Sequence, residues 1–364
     1  MTKLLELAKL GQSAWLDYIR KDLLDTGELS KLVNIGIRGV TSNPTIFENA
    51  IAKSDVYLSD ISRLAREGKD KFQIYEELAV EDIQQAADIL LPLYETSNKS
   101  DGYVSLEVSP DLCHDFKHTV TEAKRLWAKI ERPNLMIKVP ATEAGIQAIT
   151  DLIAEGISVN VTLMFTRQDY LEVAEAYLQG LEIRLERNLS LDFVSSVASL
   201  FVSRMDSAIE SVVEDESIKN ELLGKVALSN ARMIYREFLN LLNSDRFLRL
   251  QNYGARPQRL LFASTGTKNA LLSDVLYVDQ LIGNLTVTTV PPATMEAFID
   301  HGTVKRTVDQ FGEEDDQILD QCTKYGIDIT NLGESLKRDG LKQFIDAFNN
   351  LLATIDRRKQ GEIL

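Results

Sequence analysis

The run Asn134-Leu135-Met136-Ile137-Lys138-Val139-Pro140-Ala141-Thr142 decides how the rest of the chain is read. Four bulky residues around one lysine, ended by a proline and followed by a helical pattern, describe a buried strand leading into a helix. Parallel strands are covered on both faces, and an ammonium in such a strand costs several kcal/mol unless it is paired, neutral or used. A lysine at the carboxyl end of a buried strand is therefore a candidate Schiff-base nucleophile, since desolvation favours the reactive free amine. The alternative is a lysine that reaches from the strand end to solvent.

Working outward, seven more stretches have the same character. Two precede the long charged region of residues 45–98: Ser13 to Ile19, and Ile35 to Asn43 with Pro44 as its stop. Gly102 to Val108 follows that region. After the lysine strand come Ile157 to Phe165, Phe193 to Val202, Arg259 to Ser264, and Leu285 to Val290 stopped by Pro291-Pro292. Helical spacing fills the intervals. Eight strands alternating with helices imply a parallel sheet, and eight is the number that closes into a (β/α)8 TIM barrel. A doubly wound open sheet is the other α/β solution, but no glycine fingerprint follows the first strand. The usual barrel takes about 250 residues. The surplus lies in the second-to-third and sixth-to-seventh connections and in a helical extension from about 292 to 364, so the expectation is one barrel domain over 1–364.

Composition narrows the class. The 364 residues are 44% hydrophobic and 26% charged, ordinary for a globular protein, and carry a net charge of −15. That charge argues against nucleic acid or an anionic membrane as a partner. No run approaches the roughly 20 apolar residues of a bilayer span. Cys113 and Cys322, the only cysteines, make no disulfide framework, and no ligand spacing suggests a metal. The start of the chain lacks a secretory pattern. The expectation is a soluble, reduced, cytoplasmic protein.

Alternation along each strand then assigns faces. Leu135, Ile137 and Val139 point toward helices, so Met136 and Lys138 point into the barrel. The same parity sends Ser105 and Glu107, Asn160 and Thr162, Thr41 and Asn43, and Asp17 inward. Barrel interiors are usually layered with Val, Ile and Leu, and catalytic groups sit at the carboxyl ends of the strands. A lysine, two carboxylates, two asparagines and a threonine at that end suit carbonyl chemistry: an amine attacks a ketone, a carboxylate moves protons, and the iminium accepts electrons as a C–C bond breaks. Glu107 and Asp17 both qualify as acid/base groups. Asn43 and Asn160 can hold substrate hydroxyls or orient the lysine. The histidines, 114, 118 and 301, are on no strand end. For a phosphate, Arg204 follows the sixth strand, and Ser264-Thr265-Gly266-Thr267-Lys268 follows the seventh with small residues that leave N–H groups open to an anion. A surface ion pair between Arg204 and Asp206, and a solvated Lys268, are the plain alternatives.

These residues resemble the transaldolases, in their longer bacterial form. The likeness runs from Asp17 to Pro292 and rests on Val40-Thr41-Ser42-Asn43-Pro44, Asn134 to Thr142, Asn160-Val161-Thr162-Leu163-Met164-Phe165, and Ser199-Leu200-Phe201-Val202-Ser203-Arg204. It implies Lys138 as the Schiff-base lysine, Glu107 and Thr162 as holders of a proton-relaying water, and Asp17 as acid/base in C–C cleavage. Asn43, Asn160 and Ser199 would bind a dihydroxyacetone moiety beside Phe201; Arg204, Ser264 and Lys268 would take the phosphate. It further implies no cofactor, sugar phosphates as the partners, and a monomer or homodimer. The loop ending in Lys268 departs from the compact Ser-Phe-Arg-Asn of shorter members, and lysine binds phosphate as a point charge rather than a fork.

Overall fold

A computed structural model describes residues 1–360. Eight parallel strands close on themselves in sequence order: β1 (Gln12–Leu16), β2 (Ile37–Thr41), β3 (Tyr103–Glu107), β4 (Leu135–Pro140), β5 (Val159–Met164), β6 (Ser196–Phe201), β7 (Arg259–Ala263) and β8 (Thr286–Val290). β1 pairs with both β2 and β8, which completes the ring. The open-sheet alternative is thereby excluded, and all eight expected strands are present. β1 is shorter than its apolar run suggests. It ends at Leu16, but the Asp17 N–H still bonds the Val290 carbonyl at 3.0 Å, which extends the ladder by one residue.

The two ends of the barrel are filled differently. At the amino-terminal end the fully buried Trp15 indole occupies the interior, and Gly39 on β2 makes room for it. A Cβ at position 39 would lie 2.7 Å from the ring. Tyr103 stacks obliquely beside Trp15, their rings 6.2 Å apart. Toward the carboxyl-terminal end, register rather than bulk sets the arrangement. Glu107 on β3 is level with Lys138 on β4, which is level with Asn160 on β5. Neighbouring strands lie about 4.8 Å apart, so these three side chains form one row. The row breaks after Thr162, where Leu163 adopts a left-handed φ of 59° and the pairing with β6 shifts. Bulges of this kind recur beside functional sites, and a leucine in that conformation costs about 1–3 kcal/mol that the packing around it must supply.

Part of that packing comes from the last helix, Ile329–Lys359. It crosses the carboxyl-terminal mouth of the barrel. Gly340 lets it approach so closely that a Cβ there would sit 2.8 Å from a Leu163 methyl and 3.2 Å from the Arg204 guanidinium. Its start is tied down by Lys337, which pairs with the buried Asp169 at 2.5 Å. Near its end Arg358 donates to the carbonyls of Ile51, Ala52 and Ser54, closing the chain reversal that follows β2. Helical periodicity in the sequence assigns this segment an apolar face; the fold shows that the face covers the mouth.

Candidate active site

The mouth contains a cavity of about 410 Å³. Ten of the eleven site residues expected from the sequence line it: Asp17, Asn43, Lys138, Asn160, Thr162, Ser199, Phe201, Arg204, Ser264 and Lys268. Glu107 does not. It stands on the far side of Lys138 and faces a second, much smaller space between β3 and the helices Pro44–Phe47 and Phe116–Ile130.

Lys138 is 5% exposed. Its Nζ donates to the Ser42 carbonyl at 2.8 Å and lies 3.5 Å from Glu107 Oε2. The first contact is to backbone, beyond the reach of a side-chain pattern. It exists because β2 ends at Thr41 and turns under Asn43, whose Oδ1 accepts from the Ile46 N–H at 2.9 Å and caps the short helix Pro44–Phe47. With Oδ1 so engaged, the Asn43 amide group is free to donate toward the cavity.

On the other side of the lysine, Asn160 is held at both ends. Its Nδ2 donates to Ser105 Oγ at 3.0 Å, and its Oδ1 accepts from Ser199 Oγ at 2.7 Å. Three strands thus share one polar chain that fixes the asparagine rotamer and leaves its second amide hydrogen for a ligand. Three buried oxygens in this region, Thr162 Oγ1, Thr289 Oγ1 and Glu107 Oε2, have no hydrogen-bond partner among the described residues. Buried polar atoms without a protein partner are costly, and water is their usual partner.

Burial raises the Glu107 carboxyl above the ordinary glutamate range; Lys138 opposes that shift and Asp17 adds to it. Asp17 is raised for the same first reason, with Lys138 and Arg204 pulling it back. Two carboxyls displaced toward neutrality beside a buried lysine are suited to exchanging protons with a substrate.

Arg204 is half-buried at the start of the helix Ser203–Val212, its guanidinium 5.2 Å from the centre of the Phe201 ring. It makes no pair with Asp206. That carboxylate is turned inward, accepting from the Ala227 N–H at 2.9 Å and from the Tyr277 hydroxyl at 2.7 Å. Ser264 takes a left-handed φ of 56° and its hydroxyl lies 3.0 Å from that of Ser203. Lys268 lines the same wall from an exposed position. Gln343 and Phe344 of the last helix also line the cavity, as do Thr41 and Thr289. The last helix was the least legible contributor, because no local pattern ties Gln343 or Phe344 to the barrel mouth.

No helix among the described residues is long and apolar enough to cross a membrane. The model of the transaldolase/fructose-6-phosphate aldolase family matches residues 14–355. The chain is 44% identical to transaldolase 2 of Nostoc sp. over 97% of its length and 96% of that protein. It is 44% identical to a transaldolase of Neisseria gonorrhoeae over 98% of this chain and all of the other. A transaldolase of Trichodesmium erythraeum is 42% identical, with 98% and 97% covered. Barrel, cavity lining and end-to-end likeness agree, and the chain belongs to the transaldolase/fructose-6-phosphate aldolase family.

Proposed function

We propose that the chain is a transaldolase working through an imine on Lys138. It moves a dihydroxyacetone unit from a ketose phosphate, sedoheptulose 7-phosphate or fructose 6-phosphate, to an aldose phosphate, glyceraldehyde 3-phosphate or erythrose 4-phosphate. The setting is the non-oxidative pentose phosphate pathway in the cytoplasm. The observation that carries the reading is a buried lysine amine opening onto a polar cavity, with two carboxyls near it, Glu107 and Asp17, whose affinity for a proton is raised by burial.

The chemistry follows from these positions. Nζ of Lys138 attacks the C2 carbonyl of the donor, and loss of water from the carbinolamine gives the iminium. Asp17 takes the proton of the C4 hydroxyl as the C3–C4 bond breaks. The bonding electrons pass into the iminium, which becomes an enamine, and the shortened aldose leaves. The enamine then attacks the carbonyl carbon of the acceptor, Asp17 returns the proton to the new hydroxyl, and water hydrolyses the iminium. Glu107 and Thr162 hold that water, a role supported by the unpartnered oxygen that each of them carries. Asn43, Asn160 and Ser199 hold the hydroxyls of the three-carbon unit beside Phe201. Arg204, Ser264 and Lys268 take the terminal phosphate.

An aldolase sharing this lysine would release dihydroxyacetone to water. Supplying fructose 6-phosphate with and without erythrose 4-phosphate separates the two. Transfer predicts sedoheptulose 7-phosphate in the first case and at most one turnover in the second. Sustained release of free dihydroxyacetone without acceptor would overturn the transferase reading.

A further inference from the structure

Following the ladder pairs around the ring sorts the barrel interior into layers of four side chains, each layer supplied by alternate strands. The layer that holds Lys138 is completed by Thr41, Ser199 and Thr289, from β2, β6 and β8, and all four line the main cavity. Valine, isoleucine and leucine usually fill such a layer. Here it consists of one amine and three hydroxyls. Ser199 is accounted for, since its hydroxyl donates to Asn160. Thr289 is not: it is 3% exposed, it lines the cavity, and its Oγ1 has no hydrogen-bond partner among the described residues. Such an atom costs about 1–3 kcal/mol unless something in the cavity bonds it. We propose that Thr289 is a further catalytic residue, its hydroxyl donating to the sugar oxygen that exchanges a proton with Asp17. The inference rests on the transaldolase reading and adds to it a donor for the C4 oxygen.

Position supports the assignment first. β8 stands opposite β4 in the ring, and the Lys138 ammonium leans away from it, toward the Ser42 carbonyl and Glu107. A sugar joined to Nζ through C2 has room for the rest of its chain on the β8 side. Asp17 follows β1 there, its N–H on the Val290 carbonyl, and Thr289 lies one layer deeper on the adjoining strand. C4 is two bonds from C2, so its oxygen reaches the space that these two residues share. Preorganisation supports it next. The Thr289 carbonyl accepts from the Thr265 hydroxyl at 2.6 Å, and its residue is paired level with Trp15 on β1. A β-branched side chain on so fixed a backbone has few rotamers to lose when it bonds a ligand.

The chemistry gives the hydroxyl its use. As the C3–C4 bond breaks, Asp17 takes the C4 hydroxyl proton and negative charge gathers on that oxygen before the aldehyde forms. A donor already aimed at the oxygen favours this transition state. In the return direction the same hydroxyl polarises the aldehyde of the acceptor as the enamine attacks it. Thr289 forms no covalent bond and gives up no proton in either direction.

Dihydroxyacetone has no C4, which makes the assignment testable by half-reactions. In Thr289→Val, single-turnover cleavage of fructose 6-phosphate and transfer to erythrose 4-phosphate should both slow by roughly a hundredfold. Borohydride trapping of dihydroxyacetone on Lys138 should proceed as in the unmodified chain. Thr289→Ala should give the same pattern should the valine crowd the cavity, and Thr289→Ser, which keeps a hydroxyl, should recover most of the loss. Thermal unfolding of Thr289→Val should be unchanged or shifted upward, because no protein partner is lost. Thr288→Val is the control: that hydroxyl is likewise unpartnered but alternation turns it toward the helices, and transfer should not change. Unimpaired cleavage in both Thr289→Val and Thr289→Ala, or an equal loss in dihydroxyacetone trapping, would overturn the assignment and leave the transaldolase reading intact. An unmodified chain that cannot be trapped at Lys138 would remove that reading and this inference together.

Discussion

Lys138 Nζ lies 3.5 Å from Glu107 Oε2 across the β3–β4 ladder, with both side chains at least nine-tenths buried. Neither group is stable alone in that position: each offsets part of the desolvation of the other. Lys138→Met should therefore do two separable things. Transfer activity should fall by roughly a thousandfold or more, because the nucleophile is gone. Stability should fall by only about 1–3 kcal/mol, since an unpaired Glu107, already raised by burial, can take up a proton. Steady-state rates and urea unfolding of the same preparation check both. Retained activity would remove the lysine from the mechanism.

The carboxyl shifts predict a pH profile. With Asp17 and Glu107 both raised, the acid limb of kcat/KM should lie above the usual carboxylate range, and Glu107→Gln should change its position as well as its height. An acid limb near the ordinary value of about 4 would contradict the burial argument.

A third buried acid, away from the site, gives a stability prediction with a defined window. Asp82 is 3% exposed, accepts from the Tyr57 hydroxyl at 2.7 Å, and is pushed up to about 7 by burial. Its folded value exceeds its unfolded value, so the native state binds the proton more tightly and ionisation opposes folding. That penalty is absent below about pH 4, grows through the interval to about pH 7, and is complete above it. Asp82→Asn keeps an acceptor for Tyr57 and removes the titration. Between pH 4 and 8 it should lose less stability than the native chain, by about 2–4 kcal/mol. Parallel curves for the two proteins would refute the assignment.

The closure of the mouth rests on Lys337. Burial pulls its ammonium down, but the Asp169 and Glu334 carboxylates together outweigh that effect and the net shift is upward. Lys337→Met should cost about 1–3 kcal/mol, at the lower end for a buried pair because the Phe165 and Thr166 N–H groups still donate to Asp169. Loosening the helix should also displace Gln343 and Phe344, raising KM with little change in kcat. Unaltered KM in a destabilised variant would mean that the helix covers the mouth without shaping it.

Arg204 and Lys268 line the same wall in different ways. The half-buried, ring-stacked Arg204 should contribute more: Arg204→Gln should raise KM for sugar phosphates by roughly thirtyfold or more. The exposed Lys268 acts as a screened point charge, and Lys268→Gln should raise KM by about threefold at low salt and less at high salt. Comparison with unphosphorylated fructose isolates the phosphate contribution. Equal effects on both sugars would place neither residue at the phosphate.

The strands were legible because a barrel demands period-two burial with one deliberate violation per site residue. Lys138, Asn160 and Thr162 announce themselves as polar groups on faces that should be apolar. What stayed hidden has physical reasons. The Ser42 carbonyl that holds Lys138 is backbone, which side-chain patterns do not report. The left-handed Leu163 packs against the last helix, and nothing in its own identity foretells that backbone conformation. Parity placed Glu107 inward correctly, yet Lys138 stands between it and the main cavity, a three-dimensional occlusion that alternation cannot express. Gln343 and Phe344 lie more than 200 residues beyond Lys138, and only the path of the chain over the mouth brings them there.

The central claim is that Lys138 carries the substrate as an imine, and borohydride trapping tests it most directly. The protein is incubated with fructose 6-phosphate, reduced, digested and examined by mass spectrometry. The account predicts a single three-carbon adduct, on the peptide containing Lys138, formed without added metal or cofactor. An adduct on another lysine would relocate the site, and an active preparation that yields no adduct on any lysine would contradict the mechanism.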